Sequence, residues 1–331
     1  MTALPKMMRA IEISKPGGPE VLQVCERPVP SPSPDEVLIK TIGAGVNRPD
    51  VLQRMGLYKP PSDASDLPGL EVSGEIVGCG KNVQRWRTGD LVCALTAGGG
   101  YADYVCVDAG SCMTIPQNVD PLNAAGLPET VLTVWANAFA DAQLRAGETL
   151  LVHGGTSGIG MTATRMAKGM GANVITSAGS AQKCQAIADI GIADVFLYSE
   201  DPWKSFVTGK DIANVDVVLD MTGGEFVARN LDLLNPGGRH VSIAFLRGTT
   251  AQINVMAIMR KRLTISGSTL RPQSLEAKAE YARNVEKNIW PLFSSGPMQT
   301  MTDRVFALEE ADKAHQYMES GAHIGKIILK A

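Results

Sequence analysis

The sequence lacks the cysteine spacing that builds metal lobes and disulfide frameworks. Its six cysteines, Cys25, Cys79, Cys93, Cys106, Cys112 and Cys184, are scattered and none forms a C-x-x-C pair, so they read as reduced, mostly buried thiols. Histidine is scarce: His153, His240, His315 and His323 are all there are, none at i, i+4 spacing or beside a cysteine in a ligand pattern. His153 directly follows an apolar run and reads as a packed, hydrogen-bonded residue rather than a base. No metal site is expected. Basic arms and Lys/Arg-rich runs are also missing and the formal net charge is −3, so nucleic acid is not an expected partner. No unbroken apolar stretch approaches the ~18 residues of a membrane span, and the opening MTALPKMMRAIEISKPGG has no apolar signal core. The expectation is a cytoplasmic protein without a membrane segment. Repeats and low-complexity tracts are absent. What is there is 331 residues, 44% of them hydrophobic, enough for two folded domains.

Residues 150–180, LLVHGGTSGIGMTATRMAKGMGANVITSAGS, carry the densest signal. Leu150, Leu151 and Val152 form a short apolar run suited to a buried parallel strand. The turn Gly155-Thr-Ser-Gly158-Ile-Gly160 opens a helix that continues through 162–170 and closes at Gly171; Val174-Ile175 begins the next strand. Such a βαβ unit holds a phosphate site at the helix N-terminus, where backbone N–H groups and the helix dipole favour an anion and glycines admit a pyrophosphate. The turn departs from G-x-G-x-x-G at its second glycine position, which holds Ser157, a hydroxyl able to meet a phosphate. Folds that prefer NAD carry an acidic residue ~20 positions on, for the ribose 2′-hydroxyl. Here the next acid after the turn is Asp189. The second strand ends instead in Ser177-Ala178-Gly179-Ser180, followed by Lys183, groups that suit a 2′-phosphate. NADPH is the expected cofactor.

The first part of the chain reads as all-β. Strands are expected at 8–13, 36–46, 70–78, 91–95 and within 98–107, with an extended proline connector at 27–34 and a short helix or turn at 47–55. Asp50 reads as the cap of that short helix. From about Pro128 the pattern turns to α/β: a helix at 130–142, the dinucleotide unit, and further strands at 215–220, 239–244 and 263–268, with Gly237-Gly238 as a turn before the second of these. A helix over 275–290 is stopped by Pro291, and another is marked by Leu308, Ala311, His315 and Met318. The closing apolar strand, 325–329, suits return to the first domain, which leaves the cofactor domain inserted.

Six segments in order resemble the zinc-free quinone oxidoreductases, the zeta-crystallin-like branch of the medium-chain dehydrogenase/reductase superfamily. They are SKPGGPEVLQV (14–24), AGVNRPDVLQRMGLYKPP (44–61), PGLEVSGEIVGCG (68–80), the VHGGTSGIG turn, NPGGR (235–239) and HIGKIIL (323–329). The resemblance implies a Rossmann doubly wound parallel sheet inserted in a GroES-like, mostly-β catalytic domain. It assigns 1–128 and 271–331 to the catalytic domain, 129–270 to the NADPH-binding domain, and the substrate to a cleft between them. It also implies a homodimer or homotetramer. Zinc-dependent relatives place Cys where this chain has Asn47, and Gly-His-Glu where it has Gly69-Leu70-Glu71; two ligands are thus missing from a site that needs at least three.

By the same resemblance Asn47 lies near the nicotinamide and hydrogen-bonds the substrate oxygen or the carboxamide. Tyr58 either donates a proton or walls the cleft. On the cofactor, Ser157, Gly158 and Ile159 cover the pyrophosphate in the turn that Gly155 and Gly160 bound. Ser180, Lys183 and Tyr198 surround the 2′-phosphate, and Thr222 follows the fourth-strand position. Thr133, Phe245, Leu246, Ser268, Thr269 and Leu270 line the nicotinamide end. Lys326 reaches the cofactor from the C-terminal segment, and Arg271 serves either the cofactor or a domain-bridging ion pair. The implied function is metal-independent hydride transfer from NADPH to a quinone. The alternatives are an enoyl or alkenal double-bond reductase on an enone, and a non-catalytic NADPH-binding or RNA-binding protein.

Overall fold

Strand-length apolar runs punctuated by glycine and proline set the first sheets. The structure, a computed structural model, describes residues 4–189, 191, 194–198 and 215–331. β1 (Met7–Ile13) and β2 (Leu22–Pro28) form an antiparallel ribbon. Five strands follow: β3 (Glu36–Val46), β4 (Glu71–Cys79), β5 (Leu91–Leu95), β6 (Tyr104–Asp108) and β7 (Cys112–Thr114). β4, β5 and β7 extend from β3 in that order, β6 pairs with β3, and neighbours are antiparallel. The two last strands of the chain, β14 (Thr302–Ala307) and β15 (Lys326–Lys330), complete this sheet, with Ile327 opposite Val46 and Leu329 opposite Ala44. Its core holds Val37, Ile39, Val72, Ile76, Val92, Ile327 and Leu329, all buried, each contributing about 1.5–3 kcal/mol against exposure.

The α/β segment forms a second sheet, all parallel: β8 (Thr149–Val152), β9 (Asn173–Ala178), β10 (Val195–Leu197), β11 (Val215–Asp220), β12 (Leu234–Ser242) and β13 (Thr264–Gly267). The order is β10–β9–β8–β11–β12–β13, so the direction of winding reverses between β8 and β11, where such sheets bind ligands at their carboxyl ends. By contacts the chain divides into Met1–Leu132 with Arg271–Ala331, and Thr133–Leu270. The fold is a doubly wound parallel sheet inserted in a mostly-β GroES-like domain. No described helix is long and apolar enough to cross a membrane.

Two local expectations are corrected and a third is refined. Gly237-Gly238 is not a turn ahead of a strand but lies within β12, where the register jumps from Val215 opposite Leu234 to Val217 opposite Arg239. Gly237 supplies the positive φ, +79°, that this irregularity needs. The helix expected at 130–142 begins as an α-helix at Pro128–Val134 and continues as a π-helix at Trp135–Asp141. There Asn137 Nδ2 donates to Thr133 O at 2.8 Å. The helix expected at 275–290 runs over Leu275–Asn288 and does end ahead of Pro291, which sits in the first turn of the next helix, Trp290–Ser295, where its missing N–H has no intrahelical partner to lose.

Candidate functional site

In the second unit, the expected cofactor residues gather at the carboxyl ends of adjacent strands. After β8 the chain turns tightly into the helix Gly158–Gly169, which Ser157 caps by accepting from Gly160 N at 3.0 Å. Ser157 Oγ also donates to Gly154 O at 2.8 Å. Two glycines are required by space: a Cβ on Gly155 would stand 2.1 Å from Thr176 Oγ1, and one on Gly160 2.3 Å from Gly154 O. The turn therefore packs flat on β9 and leaves Ser157, Gly158 and Ile159 partly exposed at the head of the helix. These residues fit a pyrophosphate, since N–H groups and dipole point outward there.

After β9 come Gly179 and an exposed Ser180, whose Oγ accepts from Lys183 N at 3.3 Å. Gly179 packs so closely on Tyr198 that a Cβ would lie 2.6 Å from its hydroxyl. Arg247 lies over the Tyr198 ring at 5.1 Å. Ser180, Lys183, Tyr198 and a further cation thus share one strand end, and β9 ends there without an acidic residue. Burial lowers the Lys183 pKa from its ordinary value. Beyond β11, Thr222 is buried, and its carbonyl accepts from Arg247 N at 2.7 Å while Met221 O accepts from Leu246 N at 3.2 Å. Phe245 and Leu246 are thereby held with their side chains more than half exposed. After β13, Ser268 Oγ donates to Asn137 Oδ1 at 2.8 Å, which ties it to the helix that carries Thr133. Thr269 is exposed and Leu270 buried.

Behind these strand ends lies a closed polar core. His153 is fully buried, its ring nitrogens each 2.8 Å from Ser177 Oγ and Asn230 Oδ1; burial lowers its pKa. Asp220, also fully buried, accepts from Thr222 N at 2.7 Å and from the Thr222 hydroxyl, and lies 3.3 Å from His240 Nε2. Burial alone would raise its pKa, but His240 and Thr222 outweigh it and bring it to about 2.

The first unit holds a different cluster. Asn47 precedes the helix Arg48–Arg54 and its backbone N–H donates to Asp50 Oδ2 at 2.8 Å, so Asp50 caps the helix from inside the fold. Asp50 Oδ1 also accepts from Gly69 N at 3.1 Å. Its burial lifts the carboxyl to about 6 against those hydrogen bonds. The Asn47 amide donates to Glu71 Oε1 at 2.8 Å and to Gly45 O at 3.3 Å. Lys326, only 7% exposed, donates to Glu71 Oε1 at 2.6 Å, Asn47 Oδ1 at 2.7 Å and Val46 O at 3.2 Å. An ammonium has three donors, so Lys326 has none left for a cofactor; its placement is internal to this cluster. Glu71 Oε2 accepts from Glu129 N at 2.9 Å.

Tyr58 is half-buried, with the Arg271 guanidinium 5.4 Å from its ring centroid. Burial raises its pKa; Arg271 pulls it down and Glu129 pushes it up. Arg271 itself donates to Gln53 Oε1 and Ala97 O, both at 2.9 Å. A cavity of the same unit, about 770 Å³, is lined by Arg271, Lys278, Ser65, Asp66 and Tyr104 but by neither Asn47 nor Tyr58. Glu129 was not marked by any spacing: an acid in a helix's first turn looks like ordinary capping charge. The Glu71–Lys326 contact spans 255 positions, and its local signals were Gly45 and Gly126. A Cβ on Gly45 would lie 2.1 Å from Glu71 Oε1, and one on Gly126 3.1 Å from the Lys326 stem.

Comparison with known proteins matches residues 33–117 to the family described as alcohol dehydrogenase GroES-like domain and residues 190–329 to the family described as zinc-binding dehydrogenase. Quinone oxidoreductase from Mus musculus is 32% identical over 331 residues, covering 98% of each chain. That from Rattus norvegicus is 31% identical, again over 98% of each. The solved structure of Escherichia coli quinone oxidoreductase complexed with NADPH superposes with a TM-score of 0.83 at 28% identity, covering 98% of this chain and 100% of that one.

Proposed function

Because the chain belongs to the quinone oxidoreductase branch of the medium-chain dehydrogenase/reductase superfamily, an oxidoreductase family that uses nicotinamide cofactors, we propose that it reduces quinones with NADPH and without a metal. The observation that carries the metal-free reading is Lys326. A zinc ion in place of that ammonium needs three nitrogen, sulfur or carboxylate ligands. The residues present, an Asn47 amide, Leu70 and a Glu71 already paired with an ammonium at 2.6 Å, do not fit one. The preference for NADPH is supported by Ser180 and Lys183 after β9 and Tyr198 after β10, with no carboxylate among the described residues there to repel a 2′-phosphate.

NADPH, when bound, supplies a hydride to the quinone. The chain's own residues do the rest. The helix after Gly155–Gly160 holds the pyrophosphate; Phe245, Leu246, Ser268, Thr269, Leu270 and Thr133 border the nicotinamide. Asn47 is held rigid by Lys326 and Glu71, and its long 3.3 Å hydrogen bond to Gly45 O is the one a substrate oxygen displaces. Tyr58, braced by Arg271, offers a flat ring for a quinone. The reading includes a homodimer or homotetramer. It is supported by β13, the last strand of its sheet, and by Val255, Met256, Met259 and Ile265 near it in sequence, all large and exposed.

The test is NADPH oxidation by chelator-treated protein with benzoquinone and phenanthrenequinone against a long-chain 2-enal. Quinone turnover that survives the chelator is the expected result. Turnover of the enal alone moves the assignment to double-bond reduction, and loss of turnover on chelation defeats the metal-free reading.

A further inference from the structure

Hydride addition to a quinone or enone leaves an anion on the acceptor oxygen, and a proton must quench it. The groups assigned so far supply it poorly. Burial raises the pKa of the Tyr58 hydroxyl further above 10. Lys326 has its three donors engaged within the protein, and the Arg271 guanidinium does not give up a proton. We propose that Glu129 is the general acid of this site, passing its carboxyl proton to the acceptor oxygen as hydride reaches carbon. The proposal rests on the reductase reading above.

The argument is an unequal pair of carboxyl groups. Glu71 is saturated: Lys326 Nζ at 2.6 Å and Asn47 Nδ2 at 2.8 Å reach one oxygen, and Glu129 N reaches the other at 2.9 Å. The backbone is shaped to seat it, since Gly45 leaves room for its carboxylate and Gly126 for the Lys326 stem. Glu129 is the reverse. Among the described residues no hydrogen bond reaches its carboxyl, and the residue is partly exposed.

The charged and titratable groups whose charge is felt at Glu129 are Glu71 from β4, Lys326 from β15, Asp50 from the helix Arg48–Arg54, Arg271 and Lys278, and Tyr58 from its loop. A carboxyl that no donor reaches, set beside another carboxyl that takes the donors, favours its protonated form. Burial, with Glu71 beside it, pushes Glu129 up to about 8 against the pull of Lys326. At neutral pH it therefore keeps its proton, close to the value that suits an acid working there.

The step balances. The hydride brings the acceptor two electrons and one hydrogen. The O–H bond of Glu129 breaks, the O–H bond of the hydroquinone or enol forms, and the Glu129 carboxylate takes its next proton from solvent. An enolate is a stronger base than a hydroquinone anion, so the enone depends more on the acid.

The experiment is kcat/KM against pH for wild type and Glu129→Gln, with benzoquinone and with a 2-enal. Wild-type activity is expected to fall above about pH 8, and Glu129→Gln to be slower by about 10²–10³-fold at neutral pH with that fall abolished. The loss is expected to be larger for the enal. A Glu129→Gln enzyme that keeps both the wild-type rate and the wild-type fall overturns the assignment. So does a wild-type profile that is flat through pH 8, which decides the matter even if the variant does not fold. Absence of wild-type turnover on every acceptor defeats the reductase reading itself, a result distinct from either.

Discussion

Each unit carries a carboxyl at its polar heart, Asp220 fully buried and Glu129 partly exposed, and the two behave oppositely. Asp220 is surrounded by donors from Thr222 and His240 and is pulled down to about 2. Glu129 has Glu71 for a neighbour and is pushed up to about 8. Burial works in the same direction on both, so hydrogen-bond donors and neighbouring charge decide the outcome. The comparison extends to what the clusters are for. In the parallel-sheet unit the polar core sits behind the strand ends, locking β11 to β12, while the proposed cofactor residues lie on the turns in front. In the mostly-β unit the polar core and the proposed substrate residues are one cluster.

Breaking Lys326 is the largest test of that difference. Lys326→Met leaves Glu71 buried without its ammonium and is expected to lower stability by about 3–5 kcal/mol, read by denaturant unfolding, and to reduce turnover as Asn47 loses its anchor. If turnover survives while stability falls, the cluster is structural only, like its counterpart. Ser180→Glu touches a strand end alone. It is expected to weaken NADPH binding relative to NADH by about tenfold to a hundredfold, measured by titration, with unfolding unchanged.

Asp220→Asn tests the closed core. The carboxyl falls from 3.8 in the open chain to about 2 in the fold. Its contribution of about 2 kcal/mol is complete above pH 3.8 and is lost as pH falls toward 2. Asp220→Asn should therefore be less stable than wild type at neutral pH and converge with it in acid. Glu129→Gln should show the opposite sign. Between 4.5 and about 8 the folded protein holds a proton that the unfolded chain releases. Wild-type stability thus declines as pH rises through that window, and a melting series should show the variant gaining on it, most clearly above pH 8.

Much of this was legible beforehand where the signal is local. The run 36–46 is β3 to the residue, because alternation and flanking turns act within a few positions. The turn Gly155–Gly160 announces itself because β9 crowds one end and the turn's own backbone the other, so both admit only glycine. The Asn47–Glu71–Lys326 cluster was legible only in part. Asn47 and Lys326 could be singled out, yet their meeting depends on a strand pairing made at the far end of the chain, which no spacing encodes. The π-helical Trp135–Asp141 was hidden for a similar reason: Asn137 is held by Ser268, on another strand's exit.

The return of β15 beside β3 has a consequence for how the protein is made. Glu71 is synthesised early and belongs in a sealed interior, but the ammonium that neutralises it leaves the ribosome 255 positions later. The inserted parallel-sheet unit can be complete by then, whereas the unit that begins the chain must wait with an open edge on β3. The proposed substrate site therefore cannot mature before Lys326 is made, and shortening the chain ahead of Lys326 should leave an assembled parallel-sheet unit attached to an unfinished partner.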